Sequence, residues 1–230
     1  VMTSGGFSAA FERLAPQYSE QAGVEIQTVH GPSMGKTPQS IPSRLERGEH
    51  ADVVIMVGSA LQKLIDAGQV DPASRVELAD SRIGMVVRSG APKPNIDTVA
   101  QFKDALLQAR SVAYSDSASG VYIENQLFKT LGIEQAMRAK STKIERIPVG
   151  SVVADGRYQL GFQQVAELLP VRNVEFVGRI PEALQSITRY AAGVPVTSEH
   201  PEAAKRLLQY LQSEQAQAVA RQTGLDPVSH

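Results

Sequence analysis

Four stretches of this chain share one design: T-S-G-G-F-S at residues 3 to 8, G-P-S-M-G-K at 31 to 36, S-D-S-A-S-G at 115 to 120 and V-G-S-V-V at 149 to 153. In each, an apolar run ends, small or hydroxyl residues follow, and a helical pattern begins. A helix N-terminus carries unpaired N–H groups and the positive end of the helix dipole, and glycine lets a ligand approach the backbone. Each turn is therefore a candidate anion site. The competing reading is helix capping by Ser4, Ser33, Ser119 and Ser151. Number favours a ligand, because four such turns at the carboxyl ends of parallel strands would converge on one cleft if two halves of the chain faced each other.

The elements that must hold these turns follow from periodicity. Phe7, Phe11, Leu14, Ala15 and Tyr18 recur at helical spacing and stop at Gly23. Residues 24–29 alternate with period two and predict a strand. Residues 52–57 form a continuous apolar run, as in a central strand covered on both faces. A helix over 59–67, a strand over 83–87, a helix over 98–109 and a strand over 112–115 follow. Then come a helix over 120–131, strands over 144–149 and 188–196, and helices over 201–211 and 214–223, the last two expected to return to the first half. Alternating strands and helices predict an α/β protein of two doubly wound domains, residues 1–81 with 190–230 and residues 82–189, sharing a ligand cleft.

Composition bounds the partners. With 230 residues, 42% hydrophobic and 20% charged, the chain has the makings of a sizeable core. Lys and Arg total 23 against 24 acidic residues, giving a net charge of -1, so neither nucleic acid nor a membrane surface is an expected partner. The absence of cysteine removes thiol chemistry and thiolate metal sites. His50 and Asp52 are the only neighbouring metal-capable pair that stands out, so no catalytic metal or cofactor is expected. No G-x-S-x-G elbow or complete dinucleotide fingerprint occurs either.

The T-S-G-G-F start, the S-M-G turn, R-L-E-R-G-E-H-A-D-V-V-I, the S-G-V-Y opening of a mid-chain helix and the closing L-L-Q-Y-L-Q-S-E-Q-A-Q-A-V-A-R-Q-T-G-L resemble periplasmic molybdate-binding proteins. The resemblance runs over nearly the whole chain. It implies a type II solute-binding fold closing on a small anion, with a periplasmic location and a signal peptide removed on export. In that family the ligand is met at positions that fall on Gly6, beside Ser4, and on Ser33, next to Met34. Further contacts fall near Ser119 and Gly120, near Gly150 and Ser151, and on Phe162. Gly6 and Phe162 stand where the family has a serine and a tyrosine, so two hydroxyl contacts to a tetrahedral oxyanion are lost.

In their place the chain offers cations and a longer second loop. Lys36 lies in that loop, the insertion T-P-Q-S-I-P lengthens it, Arg44 follows, and Arg82 stands at the expected crossover. Several carboxylates on one ligand would use such groups. The loop, together with A-D-S-R-I-G-M-V-V-R-S-G, resembles the aconitate isomerase branch of the same fold family. That resemblance implies a proton shift across the allylic system of a tricarboxylate, which needs cations for the carboxylates, a general base and fixed donors for developing negative charge. His30, at a strand end before the anion loop, Lys36 and Tyr122 are the candidate catalytic groups, with Tyr158 and Glu167 as other candidates for the base; His50, His200 and His230 look peripheral. The alternative is a transport receptor delivering a small anion to a membrane permease.

Overall fold

The computed structural model describes residues 1–228, so His230 lies outside the described residues. The chain divides into two compact units, residues 1–81 with the segment from Thr188 onward, and residues 82–187. No helix among the described residues is long and apolar enough to cross a membrane.

The first unit is built on a six-stranded sheet in the spatial order Asp226–Pro227, Val76–Ser81, Thr188–Gly193, Val54–Val57, Met2–Thr3, Val29–His30. Met2–Thr3 pairs in parallel with Val29–His30 and with Val54–Val57, so the segments beginning Ser4, Gly31 and Gly58 leave the same edge. Thr188–Gly193 runs antiparallel to Val54–Val57 with Tyr190 opposite Val57, which brings Tyr190 to that edge as well. Helix Ser8–Ala22 buries Ala10, Phe11 and Leu14 and is stopped by Gly23 at φ 68°. Helices Pro201–Leu211 and Glu214–Gln222 return to this unit, where the Tyr18 and Tyr210 rings meet at 4.9 Å. The core of this sheet gathers Met2, Ile41, Val54, Met56, Leu61 and Leu64.

The second unit holds five strands in the order Ser141–Ile144, Val112–Ser115, Leu160–Gln164, Ile83–Arg88, Val174–Arg179. The first three are parallel, and Ile83–Arg88 is antiparallel to Leu160–Gln164 with Ile83 opposite Gln164. Helix Val99–Gln108 opens with a reciprocal capping box between Thr98 and Gln101. Its Phe102 meets Phe162 edge to face at 5.9 Å inside the core of this unit.

Both sheets are mixed, so the fold is α/β as expected but not wholly parallel. Two local readings differ. Of residues 24–29 only Val29 enters a strand, Val29–His30, because the neighbouring Met2–Thr3 is itself two residues long and gives the alternation nothing more to pair with. The strand expected over 144–149 ends at Ile144, and Val149 already opens helix Val149–Ala154.

Candidate anion-binding site

None of the four serines expected as caps does that work. Ser4 stands at a helical start without a side-chain cap bond, and Ser33 lies outside any helix. Ser119 bonds Ser115, while the Ser151 hydroxyl donates back to the Pro148 carbonyl at 2.6 Å. The hydroxyls that cap helices are Ser40, Thr98 and Ser213. The loops therefore use their serines for something other than helix ends.

In the first unit Ser4 and Ser33 are buried and their hydroxyls bond each other. Ser33 Oγ also accepts from the Val57 N–H at 2.9 Å. The Ser4–Ser33 bond uses one of the two hydroxyl protons, and turning both hydroxyls outward would present two adjacent donors that match one carboxylate. The edge of three strands fixes this pair, since the segments carrying Ser4, Ser33 and Val57 all leave it.

The long loop after His30 is clamped from within. Arg44 Nε donates to the Gln39 carbonyl at 3.0 Å, Arg47 donates to the Pro38 carbonyl at 2.6 Å, and both guanidinium groups pair with Glu49. Arg44 is thus a loop anchor neutralised by a carboxylate. Gly31 is obligatory here, because a Cβ would lie 2.2 Å from the Gln39 oxygen. Met34 and Lys36 remain exposed on the loop, and no ion pair among the described residues involves Lys36. His30 is 47% exposed, with Nδ1 at 3.3 Å from Ser8 Oγ and Nε2 at 3.6 Å from Glu12. Its ring is engaged by helix Ser8–Ala22.

In the second unit, three hydroxyls cluster at one strand end. Ser115 Oγ lies 2.7 Å from Ser117 Oγ and 2.9 Å from Ser119 Oγ. Gly120 lets the helix cross this close, since a Cβ would lie 1.5 Å from the Ser115 carbonyl oxygen. The neighbouring parallel strand ends in Gln163 and Gln164, both buried. Gln163 Oε1 accepts from the Val149 N–H at 3.1 Å, and the Gln163 side chain bonds the Glu167 carboxylate. Burial pushes the Glu167 carboxyl above the usual carboxylate range, and the bond from Gln163 only partly opposes this. No ion pair among the described residues involves Glu167. A partly buried carboxylate without a cation has the character of a proton-transfer group.

Other expected site residues have different employment. Arg82 is held bidentately by Glu182, with one N–O distance of 2.8 Å. Tyr122 donates its hydroxyl to the Leu184 carbonyl, and burial raises its pKa, so the phenol stays protonated. Phe162 is 1% exposed and belongs to the core against Phe102. The residues of its strand that reach the edge are Gln163 and Gln164. Gly150 is required by packing, since a Cβ there would press on Val171 at 2.9 Å. A Tyr122→Phe variant is expected to lose about 1 kcal/mol of stability with kcat within twofold of the parent. Chemical denaturation and steady-state kinetics read both, and a hundredfold fall in kcat would return Tyr122 to the chemistry.

The peripheral histidines lie elsewhere. A cavity of about 580 Å³ at the amino ends of the first unit's parallel strands is lined by Tyr18, Val24, Glu25, His50, Asp52 and His200, among others.

Residues 1–226 match the family described as bacterial extracellular solute-binding protein. The chain belongs to this family. Among its relatives, an aconitate isomerase from Pseudomonas sp. is 50% identical over 228 residues, covering 99% of this chain and 87% of that protein. Of solved structures, a substrate-binding domain attributed to a molybdenum ABC transporter of Clostridium difficile superposes with a TM-score of 0.82. It is 17% identical and covers 99% of this chain and 97% of that one. The periplasmic molybdate-binding protein of Azotobacter vinelandii gives a TM-score of 0.75 at 20% identity, covering 99% of both chains. The two structures establish the type II periplasmic binding fold for this solute-binding protein, as its motifs implied. The resemblance to the aconitate isomerase branch is likewise met, by a relative of half-identical sequence.

Proposed function

We propose that this solute-binding protein is an isomerase interconverting cis- and trans-aconitate. The observation that carries the reading is the 50% identity over 99% of the chain to an aconitate isomerase. Supporting it, the chain has lost two of the hydroxyl positions of the molybdate pattern, at Gly6 and Phe162, while keeping the buried Ser4–Ser33 pair. A periplasmic location, after removal of a signal peptide, fits the extracellular family.

In this proposal the paired hydroxyls of Ser4 and Ser33 take one carboxylate of the substrate, and Lys36 adds a mobile cation from its loop. The second unit offers the Ser115, Ser117 and Ser119 hydroxyls as carboxylate donors, with Ser119 and Gly120 presenting the helix start. Glu167 is the base. It takes a proton from the substrate methylene, the C–H electron pair spreads over the three allylic carbons into a carboxylate as a dienolate, and the proton returns at the far carbon. One C–H bond breaks and one forms, the double bond moves by one position, and the balance needs no cofactor or water. Arg82, engaged by Glu182, is not assigned as a carboxylate clamp. His30 is a rim residue.

Lys36 separates binding from chemistry. Because it is exposed and makes no ion pair, Lys36→Met should raise KM for trans-aconitate roughly tenfold, with kcat and melting temperature unchanged. Unaltered KM would remove Lys36 from the ligand. The function is tested by following cis- and trans-aconitate with proton NMR on purified protein. Tight binding without turnover would favour a transport receptor instead.

A further inference from the structure

All the sulfur in this chain lies in five methionines, since it has no cysteine. Met2 is 2% exposed and Met56, Met85 and Met137 are buried completely in the two cores, whereas Met34 is 49% exposed. Its place on the long loop is fixed from both sides. Ser33, just before it, is buried, accepts from the Val57 N–H at 2.9 Å and bonds the Ser4 hydroxyl. Just after it, the Gly35 carbonyl accepts from Ser40 Oγ at 2.9 Å, and Gly35 turns the chain at φ 97°, where glycine is favoured. The loop thus holds one thioether in water, a single residue from the paired hydroxyls.

We infer that Met34 is an oxidation site through which hydroperoxides weaken anion binding at the Ser4–Ser33 pair. The effect on substrate rests on the isomerase reading; the selective oxidation of Met34 does not. A sulfur lone pair attacks one oxygen of the hydroperoxide, the S–O bond forms as the O–O bond breaks, and the other oxygen leaves as water or an alcohol. Sulfur loses two electrons and the peroxide gains them. Accessibility decides which methionine reacts, and the other four are shielded by their cores. The product exchanges an apolar thioether for a polar S–O group, whose oxygen accepts hydrogen bonds and has no proton to donate. An ionised carboxylate is also acceptor-only. The two therefore repel each other and compete for the same serine protons.

The test is timed exposure of the purified protein to excess hydrogen peroxide, with peptide mass spectrometry and kinetics on trans-aconitate before and after. Met34 is expected to gain one oxygen atom about tenfold faster than any other methionine, because it alone is open to solvent. With Met34 oxidised and circular dichroism unchanged, KM should rise about fivefold and kcat stay within about twofold, and methionine sulfoxide reductase should restore KM. Met34→Leu should show the same KM before and after peroxide. Oxidation of Met34 no faster than the buried methionines overturns the site. A KM unmoved by complete Met34 oxidation, or raised equally in Met34→Leu, overturns its effect on the anion. Absence of turnover in untreated protein overturns the isomerase reading alone; calorimetric affinity for trans-aconitate then replaces KM, with the same weakening expected on oxidation.

Discussion

Glu167→Gln is expected to lower kcat for aconitate isomerisation about a thousandfold, with KM changed by no more than a few-fold. The magnitude is the middle of the range for removing a positioned general base. The amide keeps the size of the carboxylate and can still bond Gln163, so binding and packing survive while the proton acceptor is gone. The pH behaviour has a definite sign. Burial raises the Glu167 pKa, and the base acts only when ionised, so kcat/KM should fall as pH drops through a value above the ordinary glutamate range. Stability carries the opposite signature. A carboxyl with a raised folded-state pKa binds protons more readily folded than unfolded, so its ionisation opposes folding once pH exceeds the unfolded pKa. Glu167→Gln should therefore melt at a higher temperature than the parent at neutral pH and show no such gain in acid. Loss of activity together with loss of stability would make Glu167 a structural residue; undiminished kcat would remove it from the chemistry.

Ser33→Ala is expected to weaken trans-aconitate binding about a hundredfold, near 3 kcal/mol, the upper range for a hydrogen bond to a charged group. It should also cost roughly 1–3 kcal/mol of folding stability, because the Val57 N–H and the Ser4 hydroxyl would both lose a buried partner. These effects are separable. Thr replacement retains an oxygen, so Ser33→Thr should recover most of the stability in urea unfolding even where its methyl impairs binding. Titration calorimetry on the two variants reads the affinity. Full affinity in Ser33→Ala would move the ligand away from the strand edge that carries Ser4, Gly31 and Gly58.

Much of this arrangement was legible because it is local. The helix over 98–109 announces itself through Thr98 and its capping partner Gln101, and Gly23 ends the first helix in the left-handed conformation that glycine tolerates. The anion loops could be read because small and hydroxyl residues follow apolar strands. What escaped is long-range. Arg82 reads as a free cation until Glu182, a hundred residues on, is found against it. Phe162 reads as a substituted ligand, yet alternation along its strand gives it to the core, and only the strand end, Gln163 and Gln164, reaches the site edge. Gly150 reads as a place for a ligand, and the structure adds a packing demand for glycine there, since a Cβ would press on Val171. Tyr190 carried no signal at all, since an aromatic residue in an apolar run looks like core until a partner such as the Gly6 N–H is known.

The central claim is that this solute-binding protein turns over its anion. Its most direct measurement is proton NMR of cis-aconitate incubated with purified protein in deuterium oxide. The account predicts trans-aconitate accumulating to equilibrium, with deuterium entering the methylene, at a rate that Glu167→Gln reduces about a thousandfold. A substrate spectrum that stays unchanged at high protein concentration, while calorimetry shows the anion bound, would contradict the account and leave a receptor.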